Sequence, residues 1–181
     1  MSASSYIPTE ASQVTRAADN VSRVLGDEFN KDEFSIYFEI NDFQPTTANT
    51  TKLVSIGLQT SENRGFGVYS SGLNNVTLRL RGADYSLSSP TITTTFNGTG
   101  KFVATYSKQQ GGGSVAYNGV SDTYSYTRSD LDSVLDVLSL GSLPSSSVVF
   151  SSSSPFSAKF KDVKIFPKAL SEQECIQLTK V

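Results

Sequence analysis

Phe34, Ile36, Phe38 and Ile40 alternate with Ser35, Tyr37 and Glu39. A period of two puts the four apolar side chains on one face of an extended strand and the rest on the other. The pattern recurs at Val54, Ile56 and Leu58, and again where Val76, Leu78 and Leu80 alternate with Thr77, Arg79 and Arg81. It returns at Phe102, Ala104 and Tyr106, then at Val115 and Tyr117. Half-buried antiparallel strands at near-regular spacing need a second layer to cover their apolar faces, so two packed sheets or a barrel are expected. Ser and Thr make up about a quarter of the chain, which suits strands and turns. The length of 181 residues supports one ordinary domain.

Turn chemistry separates the strands. Asn97-Gly98, Asn118-Gly119 and Asn74-Asn75 supply the positive φ of tight hairpins. Gly111-Gly112-Gly113 reads as a flexible tip. Ser145 to Ser147 and Ser151 to Ser154 read as a long surface loop around Val148-Val149-Phe150. Ser171, with Glu174 three residues on, is a capping box for a C-terminal helix. Leu170 and Cys175 stand where a hydrophobic staple belongs, so Cys175 is expected to be a packing residue. A second short helical turn is expected from Ser129, with Asp132 as its capping partner and Val134, Leu135 and Leu138 facing inward. Near the N-terminus, Ala11, Val14, Ala18, Val21 and Leu25 fall close to helical spacing, although Pro8, Thr9, Thr15 and the Val residues support a helix poorly.

The chain contains no His and one Cys. Ser–His and Cys–His nucleophile pairs are thereby excluded, as are His-ligated metals, Cys-based zinc and an internal disulfide. A net charge of −2 without a basic block argues against nucleic acid. No apolar run approaches the ~20 residues a bilayer helix needs. Three Asn-x-Thr sequons, at Asn49, Asn75 and Asn97, arise readily in so Thr-rich a chain. A binder is favoured over an enzyme.

Two segments resemble a known family. Ser5-Tyr6-Ile7-Pro8-Thr9, followed by Val14-Thr15-Arg16-Ala17-Ala18-Asp19, resembles a junction of phage tail and tail-fibre proteins. There the junction leads into a concanavalin A-like, laminin-G-like sandwich. The stretch from Phe160 to Glu174 resembles that fold's last strand and terminal helix. Lys101 to Tyr106 and Ser114 to Gly119 resemble its central hairpin, and Leu138 to Ser142 its next strand. The resemblance implies an all-β, two-sheet antiparallel jelly roll with a short C-terminal helix. It also implies that residues 1–19 are an extended junction from an upstream module, and that residues 20–181 form the sandwich. This replaces the helical reading of the N-terminal stretch. The implied function is recognition of a host cell-surface glycan at the tip of a phage tail fibre or tailspike, in the virion and as a homotrimer.

Sugar binding needs aromatic faces and planar polar groups on a rigid support. The candidate residues are Tyr37, Glu39, Arg79, Arg81, Asp84, Tyr85, Asp122, Tyr124 and Tyr126, with Thr77 in the same row. No cofactor is expected. Calcium would find oxygen donors at Asn41-Asp42, Asp122, Asp130 and Asp132, although none has the dense spacing of a calcium loop. Two competing readings are a structural cap or trimerisation domain, and a polysaccharide-cleaving enzyme. The enzyme would need Glu39 paired with Asp84 or Asp122, since two carboxyls ~5–9.5 Å apart are required.

Overall fold

The structure is a computed structural model that describes residues 21–27, 29–43, 50–58, 61–71, 75–81, 87–88, 91–93, 96–125, 137–140 and 158–181. In chain order the described strands are β1 (Val21–Val24), β2 (Glu33–Asn41), β3 (Thr50–Leu58), β4 (Ser61–Ser71), β5 (Asn75–Arg81) and β6 (Leu87–Ser88). They continue as β7 (Thr91–Thr93), β8 (Gly100–Ser107), β9 (Gly112–Tyr117), β10 (Val120–Ser125), β11 (Val137–Leu140) and β12 (Lys159–Phe166), before helix α1 (Glu172–Thr179). All pairings are antiparallel. One sheet runs β1-β11-β3-β4-β5, with β6 and β7 both on the far side of β5; the other runs β10-β9-β8-β2-β12. The protein is a two-sheet antiparallel sandwich with a short C-terminal helix, as expected.

The alternation in the sequence assigns the faces. Phe34, Ile36, Phe38 and Ile40 of β2 are fully buried in the core between the sheets, against Ile56, Phe66, Val68 and Leu78 of the opposite sheet. Aromatic rings carry the packing. Phe34 meets Phe66 edge-on at 4.9 Å across the two sheets, and Phe38 stacks on Phe102 at 4.7 Å. Phe96 and Tyr117 close the same layer around Phe102.

The outward face of β2 meets the helix. Ser171 caps α1, Glu174 completes the capping box, and Leu170 and Cys175 are buried together, which is the expected staple. They share a second apolar cluster with Tyr37, Val103 and Ala116 from the outer side of the five-stranded sheet. Ser35 fastens the approach to the helix: its hydroxyl donates to the Lys168 carbonyl and accepts from the Leu170 N–H, each at 2.8 Å. Burial pushes the Cys175 thiol up to about 12, so it stays protonated and inert. The edge strand β12 carries Lys159, Lys161 and Lys164 and a register shift between Phe160 and Asp162. Charge and a bulge on an edge both discourage pairing with another chain.

Three local expectations are refined. Asn118 and Gly119 do take positive φ, 45° and 83°, in a two-residue hairpin that pairs Tyr117 with Val120. The Gly tract is not a loose tip. Gly111 makes the turn, with φ 63°, and Gly112 and Gly113 lie within β9. Gly98 has φ 86° but sits against Phe43, whose N–H donates to its carbonyl at 3.0 Å, rather than in a hairpin. The junction at 1–19, the turn from Ser129 and the Ser-rich loop lie outside the described residues.

The outer face of the seven-stranded sheet is as buried as its inner one at Ser55, Tyr69, Thr77, Val137 and Ser139. Ser55 and Ser139 are cross-strand partners there, and neither hydroxyl has a hydrogen-bond partner among the described residues. A buried hydroxyl left unpaired costs about 1–3 kcal/mol. Ser139→Ala is therefore expected to stabilise the fold by about 1 kcal/mol and to raise Tm by ~2–4 °C. A thermal melt showing a drop of that size would mean that the hydroxyl is in use.

Candidate functional site

The sandwich splits the residues that the sequence grouped. Tyr37 and Glu39 lie in β2 of the five-stranded sheet, whereas Thr77, Arg79 and Arg81 lie in β5 of the other. Tyr37 and Glu39 therefore share no sheet face with Thr77, Arg79 and Arg81; period-two patterning assigns faces but not sheets. Tyr37 is only 7% exposed. It is packed with Leu170 and Cys175, and the Lys164 ammonium stands 5.4 Å from its ring centroid. Burial first, then the Glu39 and Asp162 carboxylates, raises its hydroxyl above the usual tyrosine range. Its ring has no face left for a sugar to stack on. Glu39 accepts from Lys161 at 3.0 Å and lies opposite Lys101 and Asp162 in the sheet. The Lys164 ammonium in turn donates to Asp162. That outer surface is thus a set of acids each engaged by a lysine.

Arg79 and Arg81 stand opposite Gly67 and Gly65 of β4, and Thr77 is buried. Asp122 is exposed on the edge strand β10, where its carboxylate accepts from the Thr123 N–H at 2.9 Å. Tyr124 is half-buried and donates its hydroxyl to the Thr105 carbonyl at 2.6 Å. Asp84, Tyr85 and Tyr126 lie outside the described residues. Glu39 and Asp122 do not form a catalytic pair. Three strand spacings of ~4.8 Å separate them, and they project to opposite sides of the sheet, so they fall beyond the ~9.5 Å limit.

Of the proposed calcium donors, Asp42 has φ 59° and accepts from Lys159 at 2.6 Å, and Asp130 and Asp132 lie outside the described residues. Among the described residues no group of three or more acids or Cys is placed to hold a metal.

The described concavity is at the loop end of the sandwich, and none of the candidate residues lines it. Asn30, Asp32, Glu33, Ser107, Lys108 and Gln109 enclose an open cleft of 460 Å³. It exists because the start of β2 pairs with the end of β8, with Glu33 opposite Ser107. The walls are fixed by their own hydrogen bonds. Asn30 receives the Asp32 N–H at 3.1 Å and donates to the Pro167 carbonyl at 3.4 Å. The Lys108 N–H donates to the Asp32 carbonyl at 2.8 Å, and the Lys108 ammonium donates to the Asp32 carboxylate at 3.3 Å. The Ser107 hydroxyl accepts from the Gln110 N–H at 3.2 Å. Among the described residues the lining is two carboxylates, two carboxamides, a hydroxyl and an ammonium, with no aromatic side chain. Its local signal was two polar runs, Asn30 to Glu33 and Ser107 to Gln110, each at the end of a readable strand.

No family model matches the chain, and no curated protein matches it. Solved structures do. The CBM40 domain of the Ruminococcus gnavus IT-sialidase, bound to α2,3-sialyllactose, matches with TM-score 0.65 and 18% identity over 90% of this chain and 97% of that one. The leech intramolecular trans-sialidase complexed with 2,7-anhydro-Neu5Ac matches with TM-score 0.66 and 19% identity over 92% of this chain but 27% of its own. The binding domain of botulinum neurotoxin serotype G matches with TM-score 0.61 and 17% identity over 88% and 39%. At such identities the likeness establishes the fold: the protein is a jelly-roll sandwich of the kind these proteins contain.

Proposed function

We propose that the chain is a non-catalytic carbohydrate-binding domain. The observation that carries this reading is the loop-end cleft, a concavity of 460 Å³ whose described lining residues are polar and tied together by hydrogen bonds. Its size falls in the ~300–1,000 Å³ range of small-ligand sites. Carboxylates accept from sugar hydroxyls, while carboxamides and the ammonium donate to them. The near-complete overlap with a sialidase CBM40 domain supports the same reading.

Without an aromatic platform among the described lining residues each contact is weak, and avidity would come from repeated copies. The resemblance of the N-terminal junction and of the segment from Phe160 to Glu174 to phage tail-fibre proteins supports a place at the tip of such a fibre. Residues 1–19 would there lead in from an upstream module, three chains would assemble, and a host surface glycan would be the partner.

Binding of the full chain to an array of neutral, amine-bearing and sialylated glycans, with light scattering alongside, tests this. Selective binding is expected, with signal lost in Glu33→Gln/Gln109→Ala and with no sugar released. A trimer that binds no glycan would replace this reading with a structural capping role.

A further inference from the structure

We infer that the loop-end cleft takes an uncharged or amine-bearing saccharide and turns away acidic ones. The inference rests on the carbohydrate-binding reading and names the ligand class of that site. Among the described residues the charged groups in the lining are Asp32, Glu33 and Lys108, which sum to a net charge of −1. Its cation is already engaged, because the Lys108 ammonium lies 3.3 Å from the Asp32 carboxylate. The Asp32 side chain remains 71% exposed, against 35% for that of Lys108. A ligand entering the cleft therefore meets carboxylate first.

The groups facing the ligand have distinct duties. Both polar atoms of the Asn30 side chain are used inside the protein, so Asn30 builds the wall. The Ser107 oxygen accepts from the Gln110 N–H, and at 2% exposure Ser107 belongs to the wall as well. Gln109 is exposed and offers both a donor and an acceptor. Asp32 and Glu33 are pure acceptors. They suit the O–H groups of a vicinal diol, and the ammonium of a hexosamine still better, because a charge-assisted bond is about twice as strong. A sugar carboxylate or sulfate would approach this net negative charge, with the Lys108 ammonium already engaged by Asp32. That repulsion is screened by salt.

The test is a titration of the full-length, isotope-labelled chain, followed by amide shifts. The probes are lactose, the glucosamine disaccharide and 3′-sialyllactose, each at low and high salt. Shifts are expected at Asn30 to Glu33 and Ser107 to Gln110. The amine-bearing sugar should bind best, and 3′-sialyllactose should bind at least about tenfold more weakly than lactose at low salt. That gap should narrow as salt rises. Glu33→Gln should shrink it, and Glu33→Lys should abolish or reverse it. Should 3′-sialyllactose bind in the cleft as tightly as lactose, the inference is overturned while carbohydrate binding stands. The same holds if the sugars shift only amides outside the cleft. If none of the sugars shifts any amide, both are overturned.

Discussion

Phe34→Ala is expected to lower the stability of the domain by about 3–5 kcal/mol. The ring is fully buried and touches Phe29 at 4.9 Å, Phe66 at 4.9 Å and Tyr106 at 5.5 Å. Phe34 and Tyr106 belong to the five-stranded sheet and Phe66 to the other, so the ring spans the interior. Filling its space would require the two sheets to approach, and every other layer of the core resists that. A cavity that cannot collapse carries the full cost. Domains of this size have only ~5–15 kcal/mol in hand, so the variant should lose a large part of its urea midpoint with little change in m. Phe34→Leu keeps most of the volume and should cost less than about 1.5 kcal/mol. An alanine variant as stable as the leucine one would mean that the sheets are not held apart as described.

Gly113→Ala comes next, at about 2–4 kcal/mol. A Cβ on Gly113 would stand 2.2 Å from the Thr105 carbonyl oxygen, a backbone atom that cannot rotate away. The ladder between β8 and β9 is rearranged at this point. The Ser114 N–H goes to the Thr105 hydroxyl at 2.8 Å, and the Thr105 carbonyl takes the Tyr124 hydroxyl instead. The added methyl would push on this carbonyl and break the bond from Tyr124. Gly119→Ala is the control. It is strained by φ 83°, but its Cβ would meet only the Lys180 side chain at 3.6 Å, so about 1 kcal/mol is expected. Chemical denaturation of the two variants should rank Gly113 as the costlier position. The reverse order would show that Tyr124 does not hold the ladder in this way.

These residues mark how far the sequence could be read. The apolar alternation at β2, β3, β5, β8 and β9 was plain, as was the capping box at Ser171, because both signals are local. β4 was not singled out: Gly65 and Gly67 interrupt its pattern, leaving Phe66 and Val68 as a short apolar pair. The division into sheets was hidden because pairing is decided between distant segments. So Tyr37 could be assigned to an outward face, but not to the patch beneath α1. Tyr124 read as a surface aromatic, yet its hydroxyl serves a carbonyl 19 residues away. The cleft was the least visible feature. Asp32 and Lys108 are 76 residues apart, and only the pairing of β2 with β8 brings their polar runs together.

The central claim is that the polar end of this sandwich holds a saccharide and leaves it intact. A crystal of the full chain soaked with the strongest glycan from the array tests it most directly. Density for an uncleaved sugar is expected between the start of β2 and the β8–β9 turn, with Glu33 and Gln109 in hydrogen-bond range. Density confined to another face, or a cleaved product beside two acids, would contradict it.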